Sequence, residues 1–166
     1  MNCKIATAQP NHRGLKHDLN LFDSFEFQGP HGQHLCLVTD VLGYSLQYIR
    51  TIRDRHVRRL PSALTKRVAK QTLLALEYLH DVCGIVQADL KPDNILFHVS
   101  DVDAVVAHEL VDDPSRSYGG GTHLVPPVVP IVSQPILDPV PPTQLEAVLA
   151  DVGHSHWKDH HFQELI

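Results

Sequence analysis

The stretch VQADLKPDNILF, Val86 to Phe97, places an acid, a base and a carboxamide in one short turn: Asp89, Lys91 and Asn94. A further carboxylate, Asp151, opens an Asp-Val-Gly after the apolar AVLA. Those four residue types are what phosphoryl transfer to a hydroxyl demands. One carboxylate accepts or orients the proton of the nucleophile, and a cation steadies the moving phosphoryl group. A carboxamide and a second carboxylate hold Mg2+ against the phosphates. A loop is the right place for the trio, because helical periodicity would turn positions 89, 91 and 94 away from one another. Pro92 stiffens that loop. An ordinary polar turn would contain the same three residues, so their setting has to decide between the two readings.

The setting is a run of elements that would hold such a loop rigid. Pro61-Ser62 opens the clearest helix in the chain, with Leu64, Val68, Thr72, Ala75 and Leu79 recurring at spacings of three and four. Gly84 stands where a helix-ending glycine is expected. Ile85-Val86 predicts a short buried strand before the polar loop, and Ile95-Leu96-Phe97 another after it. Upstream, LNLFDSFEF and HLCLVTDVLG flank a Gly-Pro-His-Gly turn and predict an antiparallel hairpin. SLQYIRTIRDR predicts a short helix with Leu46, Ile49 and Ile52 inward.

Beyond Phe97 the pattern loosens. Most of the 12 Pro residues fall between residues 98 and 143, where they remove donors and lock φ. That stretch is expected to be a disordered Pro-rich insertion, with a short helix between Asp101 and Asp112. The GGGT at residues 119–122 follows no strand, so it does not read as a phosphate loop. LEAVLADVGHSHWKDHHFQELI predicts a strand, a turn and a partly helical tail. His156 and His160 are four apart, as metal ligands on one helical face can be. No Cys or second ligand pair accompanies them, and the segment reads as a solvated polar one.

Bulk properties narrow the class. A net charge of −5 argues against a basic face for nucleic acid. No apolar run approaches the ~20 residues that cross a bilayer. Cys3, Cys36 and Cys83 form no CxxC pair and read as reduced thiols in an intracellular protein, cytoplasmic or nuclear.

EYLHDVCGIVQADLKPDNILF resembles the αE helix and catalytic loop of eukaryotic Ser/Thr protein kinases. Within them the resemblance is to the SR-protein kinases, which act on Arg-Ser-rich splicing factors, and to fungal members in particular. NHRGLKHDLNLFDSFEFQGPHGQHLCLVTDVLGYSL looks like their small-lobe hairpin and hinge, and LADVGHSHWKDHHFQELI like their magnesium loop and the start of the activation segment. The resemblance implies an α+β protein-kinase-like fold. It assigns residues 15–43 to the small-lobe hairpin and hinge, 44–97 to large-lobe helices and catalytic loop, and 144–166 to the magnesium-loop segment. It makes Asp89 the catalytic base and Lys91 the contact to the transferred phosphate, with Asn94 and Asp151 holding Mg2+. Asp40, Val41 and Leu42 become the hinge that meets the adenine of ATP, with Thr39 before them and Leu96 as the floor beneath the ring.

Several positions depart from the pattern. Gln87 stands where the family has His, Ala88 where it has Arg or Thr, and Val152 where the magnesium loop has Phe. No G-x-G-x-x-G loop, no strand Lys of the V-A-I-K kind and no A-P-E occurs in the expected places. The expectation is a truncated kinase fold, inactive on its own, with apolar faces of the 62–83 helix left uncovered. The alternative is a pseudokinase-like remnant that binds a protein partner.

Overall fold

The computed structural model describes residues 5, 8–53, 59–112, 141 and 144–160. The predicted hairpin forms from β1 (Leu21–Gly29) and β2 (Gly32–Thr39), antiparallel from Leu21↔Thr39 to Gly29↔Gly32, with an irregularity between Leu21 and Asp23. Pro30 and His31 make the turn, and Gly32 leaves it at φ 132°, a conformation that side chains with a Cβ rarely adopt. Next come β3 (Leu42–Ser45) and α1 (Leu46–Arg53), whose Ile49 is buried as its spacing predicts. The side chain of Ile52 lies outside the described residues.

α2 (Ser62–Glu77) carries the inward stripe Leu64, Val68 and Ala75 and continues through a π-helical turn, Tyr78–Cys83, in which Tyr78 and Leu79 are also buried. Gly84 ends it at φ 66°, where the left-handed backbone favours glycine. One position differs from the sequence pattern: Gln71, and not Thr72, is the buried residue of its turn. Its Oε1 accepts the Ala147 N–H at 3.0 Å, so a polar side chain is satisfied inside the apolar stripe. β4 (Ile85–Val86), a 3-10 turn at Pro92–Asn94, β5 (Ile95–His98) and α3 (Val102–Asp112) follow, then β6 (Ala147–Leu149) and β7 (His156–Trp157).

β5 is the centre of an antiparallel sheet in the order β3-β5-β6. Ser45 lies opposite Leu96 on one side, and Leu96 opposite Val148 on the other. β4 pairs with β7 through Ile85↔Trp157 and Val86↔His156. Two elements adjacent to the catalytic-loop candidates are thereby tied to residues far along the chain. The core combines Leu64, Val68, Ala75, Tyr78 and Leu79 with Ile85, Phe97 and Leu149.

The expectation of an uncovered 62–83 helix is corrected. α2 packs on β6 and on the 3-10 turn Leu15–His17, and of its large apolar residues Leu73 stays exposed. The uncovered apolar surface lies instead on the hairpin, where Phe22, Phe25, Phe27, Leu35 and Leu37 are at least half exposed. A two-stranded sheet has no interior of its own, so both of its faces meet solvent unless another layer covers them. The expected helical tail is also corrected in part: His156–Trp157 is a strand. Residues 161–166, like the Pro-rich run at 113–140, lie outside the described residues. The short helix expected between Asp101 and Asp112 is α3.

Candidate active site

The loop between β4 and β5 draws its three polar residues onto one carboxylate. Lys91 Nζ donates to Asp89 Oδ2 at 2.5 Å, and Asn94 Nδ2 donates to both Asp89 Oδ2 and Asp89 O at 3.0 Å. Asn94 is buried and opens directly into β5, while its own carbonyl accepts the Ala150 N–H at 2.8 Å. The Lys91 hydrogen bond, with a smaller contribution from Asn94, holds the Asp89 carboxyl below the usual carboxylate value. The same pairing raises the Lys91 ammonium above its ordinary value. Asp89 is therefore a carboxylate at neutral pH, the form a base or proton-orienting group needs.

Gln87 binds this loop to the second carboxylate. Its Oε1 accepts the Asp89 N–H at 3.1 Å and the Ser155 hydroxyl at 3.2 Å, and its Nε2 donates to Asp151 O at 3.0 Å. Gln87, a departure from the family pattern, is a buried polar residue, and the cost of that burial is offset because both ends of its amide are hydrogen-bonded. Asp151 itself sits at φ 59°, the one non-glycine residue with positive φ among those described, and its Oδ1 accepts the Gly153 N–H at 3.1 Å. Val152 is partly buried against the core, so the smaller side chain still anchors the turn that carries Asp151.

Oxygen and nitrogen ligand atoms of Asp89, Asp151 and His154 lie within 4.8 Å of one another. The structure thus brings together Asp89, Lys91, Asn94 and Asp151, all foreseen from the sequence. It adds Gln87 as the residue that ties them and His154 as a neighbour. The signal for His154 in the sequence is its position three residues after Asp151. His156 and His160 do not share a helical face, because residue 156 lies in β7.

The remaining predicted residues form a second group. Asp40 and Val41 link β2 to β3, with Asn20 N donating to Asp40 Oδ2 at 3.1 Å and Thr39 Oγ1 donating to Asp40 O at 3.1 Å. Leu42 starts β3 opposite His98, one strand away from Leu96. A cavity of about 420 Å³ runs from Thr39 and Leu37 past Asp18 to Asp151 and Val152.

The protein kinase domain model matches residues 12–112, more than half of the chain. This chain belongs to the protein kinase family. Protein kinase dsk1 of Schizosaccharomyces pombe is 42% identical over 102 residues, covering 61% of this chain and 18% of that relative. Serine/threonine-protein kinase SKY1 of Saccharomyces cerevisiae is 40% identical over 93 residues, 56% of this chain and 12% of the relative. SRSF protein kinase 3 of Mus musculus is 39% identical over 83 residues, 50% and 14% respectively. All three relatives are protein kinases, SKY1 by its name a serine/threonine-protein kinase and the mouse relative an SRSF protein kinase, and this chain spans less than a fifth of the length of each. Protein kinases as a family use ATP and Mg2+. No helix among the described residues of this kinase chain is long and apolar enough to cross a membrane.

Proposed function

We propose that this chain carries the hinge, catalytic loop and magnesium loop of a kinase that transfers phosphate from ATP to serine hydroxyls of Arg-Ser-rich proteins. The observation that carries this reading is the single hydrogen-bonded unit in which Gln87 links Asp89 to Asp151 while Lys91 and Asn94 hold the Asp89 carboxylate. In that arrangement Asp89 orients the substrate hydroxyl and takes its proton. Lys91 is displaced from Asp89 towards the transferred phosphoryl, whose charge it balances. Backbone groups of Asp40 to Leu42 meet the adenine, and Leu96 supplies the apolar floor.

The donor set suits Mg2+. Asn94 spends its amide nitrogen on Asp89, so its oxygen is the atom left to face a cation, and Asp151 offers a carboxylate. Mg2+ takes oxygen ligands of these kinds beside phosphate. When bound, the ion would neutralise charge on the phosphates, and Asn94 and Asp151 would hold it. The setting is intracellular and the reading includes no contact with nucleic acid or membrane.

The chain alone is expected to lack measurable transfer, since it contains no phosphate-clamping glycine loop or strand Lys of the family pattern. Phosphate transfer to an Arg-Ser-repeat peptide that disappears in Asp89→Asn would overturn that expectation. The nucleotide site is tested by thermal unfolding with Mg·ATP, because a ligand that binds the native state raises its melting point. A rise that is lost in Asp151→Asn supports the reading. No rise at any concentration turns it towards the second reading, a protein-binding module without catalysis. The exposed apolar faces of the hairpin favour that second reading.

A further inference from the structure

We propose that Asp89, Asp151 and His154 form a binding site for a divalent transition-metal ion of the zinc class. The site needs no nucleotide, so it stands apart from the Mg2+ role given above to Asn94 and Asp151. Its ligand atoms already lie within 4.8 Å of one another, and His154 Nδ1 stands 3.9 Å from Asp89 Oδ2. Zinc bonds of about 2.0–2.2 Å set tetrahedral ligand atoms roughly 3.4 Å apart, so contractions of about 0.5 to 1.4 Å close the site.

The two carboxylates and the imidazole are unequally free to make that movement. Asp89 is held by Lys91 and Asn94, and Asp151 by the Gly153 N–H and the Gln87 contact to its carbonyl. The His154 side chain is 75% exposed and can swing towards them. Its nitrogen decides the class of ion. Imidazole suits zinc, copper and nickel, whereas Mg2+ keeps to oxygen and water. Three protein ligands and a solvent-facing fourth position make an open site. An ion held there would compete with Lys91 for Asp89, so zinc would act against phosphoryl transfer at the same carboxylate.

The test is a calorimetric titration of the untagged chain with zinc alone, without nucleotide, repeated in 10-fold excess Mg2+ over protein. The expected result is one tightest site per chain, retained in Mg2+ and weakened about tenfold or more in His154→Asn and in Asp151→Asn. His156→Asn with His160→Asn is expected to leave that site unchanged. Far-UV circular dichroism checks that each variant is folded, and His154→Asn, at an exposed position, serves as the deciding variant. Unchanged tightest binding in His154→Asn, loss only in the His156/His160 double variant, or no zinc binding at all overturns the proposal. None of these outcomes bears on stabilisation by Mg·ATP, so the two readings fail separately.

Discussion

The hairpin and the catalytic-loop region are both strand-rich and both obey their sequence patterns, yet they stand in opposite environments. β5 is flanked by β3 and β6, and Phe97 is almost completely buried. β1 and β2 pair over eight positions, yet Phe22 is 62% exposed and Leu35 63%. Backbone pairing therefore does not distinguish them. What distinguishes them is a second layer: α2 and the Leu15–His17 turn pack on β6, the strand beside β5 into which Asn94 opens, and among the described residues nothing comparable covers the hairpin. That layer buries Asn94, and the buried Asn94 and Gln87 fix from below the solvent-facing carboxylates of Asp89 and Asp151.

Truncation separates the two regions most sharply. Leu64→Ala, at a fully buried position of α2, is expected to cost about 2–5 kcal/mol through lost transfer energy and a cavity. Denaturant unfolding measures it, and a loss below about 1 kcal/mol would show that the α2 core is not the stabilising layer.

Asp18 lies at the junction of the two regions, bridged to Leu149 and 5% exposed, and among the described residues neither of its carboxylate oxygens is hydrogen-bonded. Burial pushes its pKa up from 3.8 to about 8. The folded state then keeps a proton that the unfolded chain loses between about pH 4 and pH 8. Stability is expected to fall as pH rises through that window and to be flat above it, with a slope of at most ~1.4 kcal/mol per pH unit. Asp18→Asn should flatten the profile and gain on the order of 2–4 kcal/mol at pH 7. A wild-type profile that is level from pH 4 to 8 would contradict it.

Removing the link between the two carboxylate loops should have a smaller effect. Gln87→Ala strips partners from Asp89 N and Asp151 O, at about 1–3 kcal/mol. It should also reduce the thermal response to Mg·ATP, whereas a purely packing role would leave that response intact. On the hairpin, Leu35→Ala is expected to change stability by no more than about 0.5 kcal/mol. A larger loss would mean that this face is covered in solution.

The trio of the candidate site was legible because it is local. Asp89, Lys91 and Asn94 fall within six residues, and Pro92, Gly84 and the flanking apolar pairs fix the loop and its ends. The α2 stripe was legible for the same reason, apart from Gln71, whose burial depends on an Ala147 N–H that is 76 residues away. Gln87 reads in the sequence as a departure from the family pattern, and its role as a joint was not legible there, since its partners lie at residues 89, 151 and 155.

By itself, then, the sequence determined most of the elements and brought together in one loop the residue types that phosphoryl chemistry uses, because periodicity, turn residues and short spacings act over one or two helical turns. Only the tertiary structure decided that β6 would lie beside β5 and β7 beside β4. Those pairings close long loops, and their register is set by the burial of Leu149, Val148 and Ile85; a local pattern predicts that such residues are buried but not which strand lies beside them. They bring Asp151 and His154 to Asp89.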